Sequence, residues 1–399
     1  MNPITNPYNP GAGTPPPELA GRDELREKVR ICIERLRIGN SAKSLILVGL
    51  RGVGKTVLLD RMRTDAEGTS VQTLRIEAPE NKSLPAMLAP ELRKALLRMS
   101  TIESAKGVSQ RALRALSGFA KGLKVKFADI EVGFDFDPEP GLADNGELES
   151  DLTALLVQTG EAAKAANTVM VMFIDELQYV KESQFAALIS ALHRCAHLRL
   201  PITLVGAGLP QLLALAGEAK SYSERLFEYP QVDKLDTAAA LDALRKPAQQ
   251  LGVNYTDEAA MAIVEKTQGY PYFLQEWGKH TWDLATASPI TLDVVEAATK
   301  LTIAGLDESF FKVRLERTTP SERRYLRAMA DLGPGPHRSG DIANQLRKTV
   351  STQAPVRSSL IRKGIVWSPT HGDTAFTVPL FHEYLLRTVP ANSSLDSPL

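Results

Sequence analysis

Gly49-Leu50-Arg51-Gly52-Val53-Gly54-Lys55-Thr56 follows the apolar run Leu45-Ile46-Leu47-Val48 and leads into Val57-Leu58-Leu59-Asp60-Arg61-Met62, a helix-forming stretch. The spacing G-x-x-x-x-G-K-[ST] is the Walker A pattern, and strand, glycine loop and helix occur in the order that pattern needs. Gly49, Gly52 and Gly54 let backbone N–H groups turn inward on phosphate oxygens, some of them at positive φ. The helix N-terminus beyond the loop adds its partial positive charge. Lys55 is placed to reach the β- and γ-phosphates, and the Thr56 hydroxyl to bind Mg²⁺. The expected ligands are therefore ATP and Mg²⁺, held by Gly49, Arg51, Gly52, Val53, Gly54, Lys55, Thr56 and Val57.

Bulk properties bound the rest. A length of 399 residues allows two to three domains. Apolar content of 43% and charged content of 24% describe an ordinary globular protein. Lys+Arg and Asp+Glu both number 47, so net charge gives no sign of a polyanionic partner. The distribution is less even, because Phe310 to Pro390 holds 13 Lys/Arg against 6 Asp/Glu. That basic end is a weak nucleic-acid signal. Cys32 and Cys195 do not form a disulfide framework and point to a reducing cytoplasm. No stretch approaches the roughly 18 apolar residues of a membrane span, and the N-terminus lacks the features of a signal peptide.

Proline-rich residues 1–17 read as an extended segment. From there to about 235 the chain alternates helices and strands. An amphipathic helix runs to about Ile38, with strands at 44–50, 71–78, 168–175 and 202–205 and a last strand at 229–235. This pattern predicts a doubly wound, parallel α/β core. An insertion at about 100–160 contains two alternating runs over 123–136 that read as a β-hairpin. It serves either as an edge covering the core or as an element that touches a partner. Residues 236–312 read as a helical lid. Residues 313–390, with three short helices and a hairpin, have the element order of a winged helix. The tail 391–399 reads as disordered.

Thr168-Val169-Met170-Val171-Met172-Phe173-Ile174-Asp175-Glu176 is the strongest strand of the chain and ends on two carboxylates. Asp175 would support the metal as a Walker B residue, and Glu176 would polarise the attacking water. Arg225, in Ser223-Glu224-Arg225-Leu226-Phe227, is either an arginine supplied to a neighbouring subunit or an ordinary surface charge. Thr203 lies inside the fourth strand rather than at its tip. The polar sensor there is then Gln178, or no side chain at all. His193 and His197 share a helix face, but Cys195 points elsewhere, so no zinc site is expected.

Leu19-Ala20-Gly21-Arg22-Asp23-Glu24-Leu25, the two Walker motifs, Ser223–Phe227 and the C-terminal module together resemble an AAA+ P-loop ATPase related to the origin-recognition and initiator clade. The resemblance covers about residues 18–390. It implies that Gly21 and Arg22 lie near the adenine and that Asp175 and Glu176 work as argued, and the residues expected to act in hydrolysis are Lys55, Glu176 and Arg225. It also implies that the winged helix binds double-stranded DNA. One departure is evident, because initiator-type proteins carry a lid arginine that Gly269-Tyr270-Pro271-Tyr272-Phe273-Leu274-Gln275 lacks. A Gly-x-Pro lid resembles the signal-transducing STAND NTPases, whose lid proline sits over bound nucleotide and whose winged helix packs back on the core. Pro271 reads equally well as the first residue of a helix. Arg347, Lys348, Arg357, Arg362 and Lys363 on or before the recognition helix are positioned for phosphates, for a charged face or for docking. The reading is thus an ATP-hydrolysing, nucleotide-controlled assembly or switch, homo-oligomeric, acting on DNA. The alternative is a STAND-like signalling or defence switch whose winged helix contacts protein.

Overall fold

The computed structural model describes residues 1–11, 13–78, 83–123, 136–221 and 223–391. Apart from their end residues Leu123, Phe136 and Ala391, the hairpin expected over 123–136 and the tail 391–399 lie outside the described residues. The chain divides into two compact units.

One unit is Arg22–Gly49 with Lys55–Val232. Its strands are β1 (Ser44–Val48), β2 (Gln72–Glu77), β3 (Met170–Asp175), β4 (Ile202–Gly208) and β5 (Phe227–Glu228). They form a parallel sheet in the order β2-β3-β4-β1-β5. Around it run α1 (Asp23–Arg37), α2 (Lys55–Glu67), α3 (Leu84–Ser100), α4 (Lys106–Gly122), α5 (Leu148–Ala165), α6 (Glu182–His197), α7 (Leu212–Ala219) and the short α8 (Ser223–Leu226). Every residue of β1, β3 and β4 is buried, as a strand covered on both faces requires. Met170, Met172 and Ile174 share one cluster with α3, α4, α5 and α6. Val171 and Phe173 alternate with them, are equally buried and fall outside that cluster, so they face the opposite layer. The parallel α/β core read from the alternation of elements is the observed one.

Two strand boundaries differ from expectation. β4 continues through Gly206-Ala207-Gly208, because a Cβ at Gly206 would lie 2.3 Å from Leu177 Cδ1 and only glycine lets the ladder pass there. β5 precedes the stretch 229–235 instead of occupying it, with Ser44 paired to Phe227 and Leu45 to Glu228. Pro230 has no N–H to donate, so past β5 the pairing shrinks to a single bridge between Val48 and Gln231, in which Val48 N donates to the Pro230 carbonyl at 3.0 Å and Val232 N to the Val48 carbonyl at 2.7 Å. Both cysteines are buried and outside any disulfide, and burial raises the thiols to about 11 for Cys32 and about 12 for Cys195.

The other unit is Met1–Gly21, Leu50–Gly54 and Asp233–Leu399. It holds α9 (Thr237–Gln249), α10 (Asp257–Thr267), α11 (Pro271–Leu284), α12 (Leu292–Gly305) and α13 (Lys312–Glu316), the last entered through a π-helical turn at Leu306–Phe311. Then come α14 (Pro320–Asp331), β6 (His337–Arg338), α15 (Ser339–Gln345), α16 (Val350–Arg362), β7 (Val366–Trp367), β8 (Asp373–Phe376) and α17 (Phe381–Thr388). The three short strands form an antiparallel sheet, β6-β8-β7. Thr319 and Glu322 close a capping box on α14 with Pro320 in its first turn, which fixes where that helix starts. The final helix, α17, is an addition to the expected elements. Its apolar Phe381, Tyr384 and Leu385 have helical spacing, but over only two turns.

The proline-rich N-terminal segment is held along α11. Asn6 Nδ2 donates to Asp283 Oδ1 at 2.8 Å, and Asn9 N donates to Gln275 Oε1 at 3.1 Å. Tyr8 is 2% exposed, and its hydroxyl donates to the Leu244 carbonyl. Its ring lies where a Cβ on Gly278 would come within 2.6 Å, so the missing side chain makes the seat. Tyr8→Ala is expected to destabilise this unit by about 3–5 kcal/mol, as large aromatic truncations do. Urea unfolding measures it, and a loss below about 1 kcal/mol would mean that the segment is only loosely held.

Candidate nucleotide-binding site

Strand β1 runs into the glycine loop, and α2 leaves it at Lys55. Gly52 and Gly54 stand at φ 82° and 87°, the left-handed region that a side chain would oppose. Lys55 is 8% exposed, and its Nζ donates to the Gly49 carbonyl at 2.9 Å, which turns the side chain back toward the end of β1. Val53 is buried, while Thr56 and Val57 begin α2 half-buried.

Asp175 closes β3, in register with Glu77 of β2. It is 1% exposed. Its Oδ1 accepts from Glu176 N at 2.8 Å, and its Oδ2 lies 3.7 Å from Arg75 Nη2 with no hydrogen bond of its own. Burial raises the Asp175 carboxyl; the Thr56 hydroxyl, hydrogen-bonded to it, lowers it, and the Glu176 charge adds to the rise. Arg75 also donates to Asp60 Oδ1 of α2 at 2.7 Å, tying that helix to the carboxylate strand. In sequence Arg75 reads only as one member of an alternating strand. The available signal is a cation on the strand that precedes the one ending in Asp175.

Glu176 adopts φ 54°, ψ 37°, a left-handed conformation uncommon outside glycine. The Gln178 amide donates to Glu176 Oε2, and Gln178 Oε1 accepts from Leu209 N at 3.0 Å, just beyond the tip of β4. Gln178 thus bridges Glu176 to that tip, the position its sequence context suggests. Thr203 lies near the other end of β4, with its hydroxyl 3.0 Å from Ser44 Oγ.

Other expected site residues have contacts of their own. Gly21, at φ 66°, faces α9, where a Cβ would meet Ala239 Cβ at 2.9 Å. Arg22 stands at the N-cap position of α1 and is buried. Arg51 Nε donates to the Gly364 carbonyl at 3.3 Å. Tyr272 N donates to the Gly52 carbonyl at 3.3 Å from the first turn of α11. Pro271 is the first residue of that helix, the role its spacing allows. Arg225 is exposed on α8, beside the N-terminal end of β1, whereas the loop leaves its C-terminal end. His193 and His197 belong to no metal cluster among the described residues.

An AAA ATPase domain model matches residues 18–205, spanning both Walker motifs. The chain carries an AAA+ P-loop ATPase domain. A second model, a domain of unknown function (DUF8462), matches residues 308–385. No curated protein matches the chain in sequence. Among solved structures, a Walker-type ATPase of Pyrococcus abyssi is similar at 16% identity and TM-score 0.57, covering 94% of this chain and 97% of that one. At that identity the likeness is one of fold. The RuvB Holliday junction branch migration motor of Thermotoga maritima gives 17% identity and TM-score 0.43 over 93% of this chain and 97% of its own. The Aeropyrum pernix Orc1 protein, solved in complex with DNA, gives 14% and 0.46 over 95% of each chain. No helix among the described residues is long and apolar enough to cross a membrane.

The residues of the AAA+ domain fit nucleotide and Mg²⁺. Glycines at positive φ open the loop backbone, and the donor set of Thr56 and Asp175 is hard oxygen, the kind Mg²⁺ takes. Asp175 Oδ2, buried without a hydrogen bond, is an acceptor with capacity to spare.

Proposed function

We propose that this chain binds Mg·ATP at its glycine loop, hydrolyses it, and uses the bound state to control assembly or conformation. The observation that carries the reading is Asp175, buried at the end of β3 and keeping one carboxylate oxygen without a hydrogen bond. Loop amides from Gly49 to Thr56, with Lys55, bind the phosphates, and Val57 lies in the first turn of the helix beyond them. Gly21, Arg22 and Pro271 are assigned to nucleotide contact on resemblance alone. Thr56 directly and Asp175 through a ligand water would hold Mg²⁺, which when bound neutralises charge on the phosphates. Glu176 accepts a proton from the attacking water, and Gln178 fixes where its carboxylate points. Arg225 serves a neighbouring copy.

Sizing of the Glu176→Gln protein with and without ATP tests the reading. A change in mass or hydrodynamic radius on adding ATP is expected, and identical profiles overturn nucleotide-controlled assembly or conformation.

A second reading, in which the C-terminal module contacts protein rather than DNA, gains from two side chains. Arg357 donates from Nε to Thr374 Oγ1 at 2.7 Å and from Nη2 to Ser368 Oγ and the Asp373 carbonyl, both at 2.7 Å. Lys363 pairs with Glu322 at 2.7 Å and donates to the Arg317 carbonyl at 2.9 Å. Both are engaged inside the module, which leaves Arg347, Lys348 and Arg362 as exposed cations near that helix. Duplex DNA binding by the whole protein is accordingly expected to be weak and to vanish between about 50 and 200 mM salt. Tight binding at 200 mM salt, lost in Arg362→Ala, would restore the DNA reading.

A further inference from the structure

Asn-Pro occurs three times within residues 2–10, at Asn2-Pro3, Asn6-Pro7 and Asn9-Pro10. The first two asparagines shape the segment from within. Asn2 Oδ1 accepts from Ile4 N at 2.9 Å and Asn6 Oδ1 from Tyr8 N at 3.0 Å, while each proline fixes its own φ. Recognition comes from one face of α11, whose positions 275, 278, 279, 282 and 283 follow helical spacing. Asn6 Nδ2 donates to the Lys279 carbonyl at 3.0 Å as well as to Asp283, and Trp282 Nε1 donates to the Asn2 carbonyl at 3.1 Å. The Tyr8 ring stands edge-on to Trp282, with centroids 6.5 Å apart, over the hollow at Gly278, and Leu244 of α9 takes its hydroxyl. Gln275, itself buried, accepts from Asn9 N. One aromatic anchor in a hollow, flanked by polar contacts to a preshaped segment, is how a groove reads a linear sequence.

The tether behind the segment is held differently. Among the described residues of 10–17 none is buried, and none hydrogen-bonds to another part of the chain. The next tie is Glu18, 3.3 Å from Lys246. A recognised segment on an untied tether exchanges between copies of a chain at low cost, because each contact given up in one copy is regained in the other. We propose that the α9–α11 groove is a docking site for the Asn-Pro-x-x-Asn-Pro-Tyr segment of a second copy, so that a neighbour supplies Tyr8. Residues 10–18 span roughly 30 Å when extended, which sets how close the two grooves must lie. The contact uses no part of the glycine loop, so it stands whether or not the chain hydrolyses ATP.

Bismaleimide crosslinking of Asn6→Cys chains mixed with Asp283→Cys chains traps the exchange, since Cys32 and Cys195 are buried. A covalent dimer is expected in the mixture and in neither variant alone. A synthetic peptide of residues 2–10 should suppress it at least tenfold, and the same peptide with Tyr8→Ala should not. Both variants keep Tyr8 in its seat, and a second readout guards against a local folding defect. The labelled peptide should bind Asn6→Ala chains at least tenfold more tightly than the parent, because there the resident segment has lost its side-chain bonds to α11 and competes less well. Absence of the covalent dimer, a dimer that the peptide leaves unchanged, or equal peptide binding by Asn6→Ala and parent overturns the proposal.

Discussion

Glu176→Gln is expected to keep ATP affinity while slowing turnover by about 10²–10⁴-fold, the usual contribution of a general base. The substitution removes the proton acceptor but keeps the size of the side chain and its capacity to meet Gln178. Because Glu176 already holds a left-handed backbone conformation, the glutamine inherits the same placement. Single-turnover hydrolysis alongside equilibrium binding of a fluorescent ATP analogue separates the two effects. Turnover within about threefold of the parent would remove Glu176 from the chemistry and leave the loop as a binding element.

Lys55→Ala is expected to weaken ATP binding by about 10- to 150-fold, which corresponds to losing charge-assisted hydrogen bonds of about 1.5–3 kcal/mol. The lysine also donates to the Gly49 carbonyl, so thermal unfolding of the variant must be compared with the parent to separate a relaxed loop from a lost phosphate contact. Unchanged affinity would mean that the glycine loop serves structure alone. The two variants together divide binding from hydrolysis, and each has a failure the other does not share.

Much of this core is legible because its signals are local. The eight residues from Gly49 to Thr56 specify their own loop, and the apolar run into Asp175 specifies a buried strand. What escapes the sequence depends on contacts between distant segments. Arg75 gains its meaning only when β2 lies against β3 in a register that sets Glu77 opposite Asp175. The inward turn of Arg357 requires hairpin residues 11 and 17 positions away, so in sequence its charge looks available although Ser368 and Thr374 engage it.

The seat of Tyr8 has a consequence for the order in which the chain is made. Its hydroxyl is bonded across 236 residues, and Asn6 reaches Asp283 across 277. A segment that leaves the ribosome long before α9 and α11 must therefore wait until most of the polypeptide has followed. Contacts of such long range slow closure, and surfaces that wait are open to wrong partners. Meanwhile the sheet unit, Arg22–Gly49 with Lys55–Val232, has all its strands by Glu228 and is the part able to assemble early. Chaperone dependence in the cell should accordingly track the delay before α11 is synthesised, and not the folding of the sheet.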